Sequence, residues 1–226
     1  MEIELKYALE NKQQYKTILD FLNHKSGKAA LVLEQENIFF DTKNGHLRTS
    51  GLILRLRQEN GSYWLTAKGS SATEPLQETI LSARLEEEIA LEPAQAKKLL
   101  EGHLDPVKLF EESDWPSEPE KQKERLLMLG ALIKARHNQT LNVIGKFRNT
   151  RRMYTVAIQQ ALYKVECDET FFPGNKTDFE IEIELPNEPT AHAVRDEVEK
   201  WLRSMEIPIA TTSGKAARFF ASMKKD

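Results

Sequence analysis

The first residues of the chain carry charges that could bind a metal ion and an anion side by side. The sequence begins MEIELKY. Successive side chains of a strand point to opposite faces, so Glu2, Glu4 and Lys6 would share one face. Two carboxylates beside an ammonium group can hold a divalent cation together with an anionic oxygen. A surface strand with an internal salt bridge would have the same sequence, so the interpretation depends on whether other strands repeat the pattern.

Other segments repeat this alternation of charged and apolar residues. Arg55 and Arg57 alternate with leucines, and Lys68 lies on the strand that would return after the Asn60-Gly61 turn. The remaining charged positions that share a strand face are Arg84, Glu86 and Glu88, then Glu166 and Asp168, then Glu180, Glu182 and Glu184. A row of carboxylates repels itself, so these rows predict cations nearby.

The strands that carry these rows could lie in a half-buried sheet or in a barrel. In a half-buried antiparallel sheet, the charged faces would be solvated. In a closed barrel, they would line a shared lumen, and amphipathic helices would cover the apolar outer faces. A lumen with both basic and acidic walls suits an anion of several charges that is bridged by Mg²⁺ or Mn²⁺, which indicates a polyphosphate.

Helical and strand-like periodicities alternate along the chain and predict an α+β fold. The predicted helices are 11–24, 94–100, a segment through 126–129, 190–205 and 213–223. The predicted strands are the opening segment, a meander over 31–68, then 77–91, 141–155, 161–170 and 177–185. Turns are expected at 43–45 and 59–61, and a loop at 113–119.

Composition excludes some classes of protein. The 226 residues include 32 Lys and Arg against 35 Asp and Glu, so net charge gives no argument for binding nucleic acid or a membrane. No apolar run approaches membrane-spanning length. Cys167 is the single cysteine and cannot form an internal disulfide, and the acidic start does not resemble a signal peptide. We therefore expect a cytoplasmic protein, with Cys167 as a small core residue.

The ordered set of charged motifs resembles the CYTH superfamily, the triphosphate tunnel metalloenzymes. The opening segment matches the E-x-E-x-K signature of that family. The further matching positions, in order, are Arg55 with Arg57, Lys68, Arg84 with Glu86 and Glu88, Arg151, Glu166 with Asp168, Glu180 to Glu184, and Lys215. Arg148 and Arg152 compete with Arg151 for one position, and Asn149 stands where family members often carry Lys.

The resemblance implies a closed, antiparallel eight-stranded β-barrel with a charged lumen, flanked by α-helices and formed by residues 1–226 as a single domain. It implies metal ligands at Glu2, Glu4, Asp168, Glu180, Glu182 and Glu184. It implies phosphate contacts from Lys6, Arg55, Arg57, Lys68, Arg84, Arg151 and Lys215, and Arg218 follows Lys215 by about one helical turn. Glu86, Glu88 and Glu166 would also line the lumen, and Glu4, Lys6 and Lys68 are the expected catalytic residues.

The resemblance also implies chemistry on a small-molecule triphosphate with Mg²⁺ or Mn²⁺. The first hypothesis is hydrolysis of inorganic triphosphate or of a small organic triphosphate. A class IV adenylyl cyclase, which makes cyclic AMP from ATP, is the related alternative, and no clear adenine-reading motif supports it. A non-catalytic module that binds polyphosphate or nucleotide is the third. We expect no nucleic-acid or membrane partner, and either a monomer or a homodimer.

Overall fold

A computed structural model describes residues 2–69, 81–111, 130–131, 133–134, 140–187 and 190–223, without the side chains of Glu2, residues 81–85 and Glu111. The strands are β1 (Glu2–Leu9), β2 (Leu31–Asp41), β3 (Leu52–Glu59), β4 (Ser62–Gly69), β5 (Leu81–Leu91), β6 (Asn142–Ile158), β7 (Ala161–Phe172) and β8 (Lys176–Leu185). The helices are α1 (Lys12–Ser26), α2 (His46–Thr49), α3 (Pro93–Leu100), α4 (Pro106–Glu111), α5 (Ala191–Ser204) and α6 (Lys215–Ser222). The predicted loop at 113–119 and the predicted helical segment 126–129 lie outside the described residues.

Helix α1 begins and ends at the residues that its sequence predicts. The side chain of Asn11 accepts hydrogen bonds from the backbone N–H groups of Gln13 and Gln14, which satisfies donors that have no partner within the helix. Gly27 ends the helix with φ 65°, a left-handed conformation that glycine adopts without steric cost. The predicted helix at 11–24 is therefore confirmed.

The turn at Asn60-Gly61 forms the predicted hairpin between β3 and β4. Both residues have positive φ, 48° and 87°, as the tight turns of hairpins require. The earlier turn at 43–45 leads into α2, a helix that periodicity did not predict because it has only four residues. The Asp41 carboxylate stabilises α2, because it accepts hydrogen bonds from the backbone N–H groups of Thr42 and Leu47.

The chain divides into two compact units. The first comprises residues 1–35, 75–83 and 147–226, and the second comprises 36–74 and 84–146. Hydrogen-bonded strands follow each other in the order β1-β5-β4-β3-β2-β6-β7-β8, and β8 pairs with β1, so the sheet closes on itself. The strand pairs β1–β8, β3–β4, β4–β5, β6–β7 and β7–β8 are antiparallel. Each unit has its own apolar core: that of the first is covered by α1 and α5, whereas that of the second includes Leu54, Leu65 and Phe110.

The predicted eight antiparallel strands and the flanking helices are present, and the strand order is that of a closed barrel. Each of the two units has its own apolar core. Strands β2 and β5 are divided between the units, after Gln35 and after Ala83. Charge alternation along a strand specifies which face is apolar, but it does not specify how many strands share one core.

None of the helices in the described ranges has the length and apolar character that a membrane crossing requires.

Candidate site for anions and a metal ion

The charged face of the first unit is enclosed by the protein. On β7 and β8, Cys167 and Ile181 point into the apolar core, so Asp168, Glu180 and Glu182 point to the opposite face. All three carboxylates are buried, and Asp168 has no exposed surface. A solvated strand face would leave them exposed, so the half-buried sheet does not describe this part of the chain.

Arg151 lies on β6 directly opposite Asp168 and connects several of these carboxylates. Its Nε and Nη2 donate to the two oxygens of Asp168 at 2.9 and 2.7 Å, which is a bidentate pair. Nη2 also donates to Glu182 at 2.8 Å, and Nη1 contacts Glu166. Among the three competing arginines, Arg151 is thus the one beside the carboxylates.

The other two arginines of this segment point elsewhere. Arg148 is exposed and lies opposite Phe171. Arg152 donates to the hydroxyl of Tyr15 at 3.0 Å, on the face that carries α1. That hydroxyl also donates to the backbone oxygen of Cys167, so Arg152 helps to fix α1 on the sheet.

The first residue of α6, Lys215, places its ammonium group among three carboxylates. Its Nζ lies 2.7 Å from Asp168 and 3.0 Å from Glu182, and it also contacts Glu180. Lys215 therefore occupies the position where these carboxylates converge.

A second residue of α6 also contacts this group. Arg218 Nη2 lies 2.6 Å from Glu180, and its Nε lies 3.1 Å from Asp178. The same guanidinium group donates to Thr212 and to the backbone oxygen of Ser213. Lys215 and Arg218 are three residues apart on one helix, so both reach the same side.

Strand β1 supplies Lys6, which connects the opening segment to this group. Its Nζ lies 2.7 Å from Glu4 and 2.8 Å from Glu182, the residue directly opposite Lys6 on β8. Glu4 and Lys6 are both partly buried, whereas Ile3, Leu5 and Tyr7 are in the apolar core. The alternation predicted for this strand is confirmed.

Burial and ion pairing compete to set the pKa values of these groups. Burial raises the pKa of Glu182, but Lys215, Lys6 and Arg151 outweigh it and hold that pKa well below its ordinary value. Burial also acts on Asp168, but Arg151 and Lys215 hold its pKa low. The pKa of Lys215 is raised, because its three carboxylates outweigh the lowering effect of burial. These partners are therefore charged at neutral pH.

Glu166 differs from its neighbours. Burial raises the pKa of its carboxyl group, and the nearby charges of Glu182 and Asp168 raise it further, against the opposing effect of Arg151. Lys164 also contacts this carboxylate, at 3.0 Å. Glu166 is therefore easier to protonate than Asp168 or Glu182.

Three of the acids are close enough to hold one metal ion. One oxygen atom each of Asp168, Glu180 and Glu182 lies within 4.8 Å of the others. Carboxylate oxygens are the ligands that Mg²⁺ and Mn²⁺ prefer, and the low pKa values of Asp168 and Glu182 keep those two ionised. The donor set fits such an ion, and Lys215 contacts the same three carboxylates.

The second unit holds a smaller group of alternating charges on β3, β4 and β5. Arg57 Nη2 donates to both oxygens of Glu88, at 2.9 and 3.0 Å. Lys68 contacts Glu86, the residue directly opposite it on β5. Arg55 Nη2 lies 3.6 Å from Glu86. The residues predicted on these strands therefore lie together.

Some predicted residues lie elsewhere or outside the description. The Glu184 side chain is 55% exposed and lies 3.6 Å from Lys164, so it does not share the enclosed group. Glu2 lies on β1 and Arg84 on β5, but their side chains are outside the described part of the chain.

No role was predicted from the sequence for several polar residues of these groups. Asn149 donates to Asp168 at 3.0 Å, and Thr170 donates to Asn149. Thr66 donates to Glu88 at 3.0 Å and accepts from Arg55 at 3.2 Å. Asp178 contacts Arg218. Each of these residues lies two positions from a predicted charged residue of the same strand. Strand periodicity could therefore have placed it on the charged face.

Comparisons with known proteins agree with the charged motifs. The model of the CYTH domain matches residues 1–219. YjbK of Bacillus subtilis (strain 168), a protein named as a triphosphatase, is 27% identical over 230 residues, which cover 100% of this chain and 97% of that protein.

Solved structures are also similar. HpAC1 from Hippeastrum, which carries the name of an adenylyl cyclase and for which a dominant triphosphatase activity is described, is 26% identical with a TM-score of 0.73, covering 98% of this chain and 96% of that one. A Bacillus halodurans protein named as an adenylate cyclase is 23% identical with a TM-score of 0.63, covering 97% of each chain, and it supports the fold alone.

Proposed function

Because the chain belongs to the CYTH domain family, we propose that it is a metal-dependent hydrolase that cleaves a phosphoanhydride bond of inorganic triphosphate or of a small organic triphosphate. The observation that carries the proposal is the enclosed group in which Lys6, Arg151 and Lys215 alternate with acidic residues. The name of the Bacillus subtilis relative and the activity described for the Hippeastrum protein support hydrolysis.

The acidic residues would serve the metal ion. Asp168, Glu180 and Glu182 would hold Mg²⁺ or Mn²⁺. Glu2 and Glu4 on β1 are further proposed ligands, whereas the exposed Glu184 is not. Such an ion neutralises phosphoryl charge and increases the acidity of bound water. Lys215 contacts the same three carboxylates, so its ammonium group would exchange carboxylate contacts for phosphoryl contacts.

The basic residues would hold the phosphoryl oxygens and stabilise the charge that develops on them. In the first unit these residues are Lys6, Arg151, Lys215 and Arg218, and in the second they are Arg55, Arg57, Lys68 and Arg84. Phosphoryl transfer needs little covalent chemistry from the protein, so positioning and electrostatic stabilisation would supply most of the rate enhancement. Glu86, Glu88 and Glu166 would keep neighbouring cations oriented.

Glu4 would accept the proton of the attacking water. Its carboxylate contacts Lys6 at 2.7 Å, which keeps it beside a proposed phosphate contact. A positioned carboxylate that accepts a proton typically contributes about 10²–10⁴-fold to the rate.

Three further expectations stay predictions. They are that residues 1–226 form a single domain, that the protein is a monomer or a homodimer, and that it is cytoplasmic.

One assay tests the proposal. Purified protein is incubated with tripolyphosphate, ATP or thiamine triphosphate and either Mg²⁺ or Mn²⁺, while phosphate, pyrophosphate and cyclic AMP are measured. We expect metal-dependent phosphate release from at least one substrate. Cyclic AMP with pyrophosphate from ATP would instead indicate a cyclase, in line with the name of the Hippeastrum protein. Binding without any product would indicate a non-catalytic module.

A further inference from the structure

Asn149 is a buried, uncharged residue beside the proposed metal ligands. It lies on β6 opposite Thr170, with 1% of its surface exposed. Its Nδ2 donates to Asp168 Oδ1 and to Gln35 Oε1, both at 3.0 Å, and its Oδ1 accepts from the Thr170 hydroxyl at 2.8 Å. Each polar atom of the amide group therefore has a partner.

The chemistry of these partners fixes the orientation of the amide group. Arg151 and Lys215 direct their donors at both oxygens of Asp168, so the carboxylate acts as a hydrogen-bond acceptor. The nitrogen of Asn149 must then face Asp168, and its oxygen must face the hydroxyl of Thr170. A reversed amide would place two acceptors together in the protein interior.

The two oxygens of Asp168 have different sets of donors. Oδ1 accepts from Asn149 and from Arg151 Nε at 2.9 Å, and both donors are on β6. Oδ2 accepts from Arg151 Nη2 and contacts Lys215, both at 2.7 Å. Lys215 also contacts Glu180 and Glu182, so Oδ2 is the oxygen on the side of the other two proposed ligands.

We infer that Asn149 is a positioning residue, which holds Oδ1 of Asp168 within the protein and so presents Oδ2 to the metal ion. The inference rests on the proposed function, because it assigns a role in binding that ion. An amide donor orients the carboxylate without neutralising it, whereas a cationic donor would lower its attraction for a divalent ion. Thr170 acts through Asn149, since its hydroxyl keeps the amide group oriented.

Binding of Mn²⁺ in the absence of substrate tests the inference by titration calorimetry. Asn149→Leu removes the donors at similar size, and we expect it to weaken Mn²⁺ binding by about 10–100-fold, as loss of a partner that orients a ligand typically does. Thr170→Val should weaken binding in the same direction by less. Because Thr170 acts through Asn149, the double variant should bind Mn²⁺ no more weakly than Asn149→Leu alone.

Thr150→Val provides a matched control on the same strand. The Thr150 hydroxyl donates at 2.9 Å to Glu34, which is not among the proposed ligands. This variant should bind Mn²⁺ with wild-type affinity. In steady-state assays Asn149→Leu should raise the Mn²⁺ concentration that half-maximal activity requires, with little change in KM for tripolyphosphate at saturating Mn²⁺. A merely structural role would lower the thermal midpoint without this selective effect on the metal.

Wild-type Mn²⁺ affinity in folded Asn149→Leu would overturn the inference and leave the proposed function standing. If that variant does not fold, Thr170→Val decides, and unchanged Mn²⁺ affinity in it would overturn the inference as well. Wild-type protein that neither binds Mn²⁺ nor releases phosphate would overturn the proposed function, and this inference with it.

Discussion

Three cations converge on Glu182. Lys6 and Arg151 each lie 2.8 Å from its carboxylate, and Lys215 lies at 3.0 Å. A buried carboxylate without partners would lose the solvation of its charge, and close cations offset that loss. The same cations can contact phosphoryl oxygens, so the residues that stabilise the fold are also the proposed binding residues.

Glu4→Gln tests the proposed proton acceptor. The amide keeps the size of the side chain but cannot accept a proton at neutral pH, so we expect phosphate release from tripolyphosphate to fall about 100-fold or more. Circular dichroism should show an unchanged fold. Glu10→Gln, at an exposed position, is the matched control and should keep the wild-type rate. Full activity in Glu4→Gln would contradict the assignment.

Lys68→Ala tests the charged group of the second unit. Its ammonium contacts Glu86, and removing a cation that stabilises developing phosphoryl charge should lower the rate about 100-fold. The initial rate of phosphate release measures the effect. Lys98→Ala, on the exposed face of α3, removes the same charge from the same unit and should have no effect. Equal rates in the two variants would reject a role for Lys68 in turnover.

At the scale of elements, the two faces of the strands explain the sequence pattern. On β8, Phe179, Ile181 and Ile183 pack in the apolar core, while Glu180 and Glu182 are buried on the opposite face. Each strand therefore needs an apolar partner on one side and counter-charges on the other. Helices α1 and α5 supply the first, and β1, β6 and α6 supply the second.

Asn11→Ala tests how much the cap of α1 stabilises the protein. The substitution removes the acceptor for two backbone N–H groups, and we expect the free energy of unfolding to fall by about 1 kcal/mol in urea denaturation. Asn23→Ala, at an exposed position within the same helix, should instead increase the free energy of unfolding, because alanine favours helix more than asparagine does. An equal or larger free energy of unfolding in Asn11→Ala would contradict the capping role.

Periodicity predicted most of these elements because each depends on neighbours in sequence. The helix at 11–24, the hairpin at 59–61 and the charged face of β8 were all visible in the sequence. The hydrogen bonds of Asn149 join Gln35, Asp168 and Thr170, which lie far apart in the chain, so no local pattern indicates them. The division into two units likewise depends on which strands share a core, and alternation does not encode that.

At the scale of the whole molecule, the enclosed charges make stability depend on pH. The folded pKa values of Asp168 and Glu182 lie below their ordinary values of 3.8 and 4.5. The unfolded chain therefore binds more protons in this range, and the stability that these groups contribute is present above those ordinary values and is lost as pH falls through the folded ones. Because the pKa of Glu166 is raised, its contribution to stability instead decreases as pH rises above the ordinary value of 4.5.

Lys215→Met should shift this acid transition. Without the ammonium group, the folded pKa values of Asp168 and Glu182 rise, so we expect the midpoint of acid unfolding to move to higher pH. At neutral pH the variant should also lose about 3–5 kcal/mol of stability, as is typical when one partner of a buried pair is removed. Tryptophan fluorescence against pH and urea denaturation measure these effects. Lys200→Met, at an exposed position, should change neither.

Cys167 lies beside Asp168 with its thiol on the apolar face, fully buried as its sequence predicted. Burial raises the pKa of that thiol, and the folded protein shields it, so a thiol reagent can modify it only after the first unit has opened. Because the chain contains a single cysteine, each modified molecule records one such opening. At saturating reagent the labelling rate equals the rate of this opening. The labelling rate of Cys167 therefore reports whether a bound metal ion or triphosphate slows the opening of the first unit.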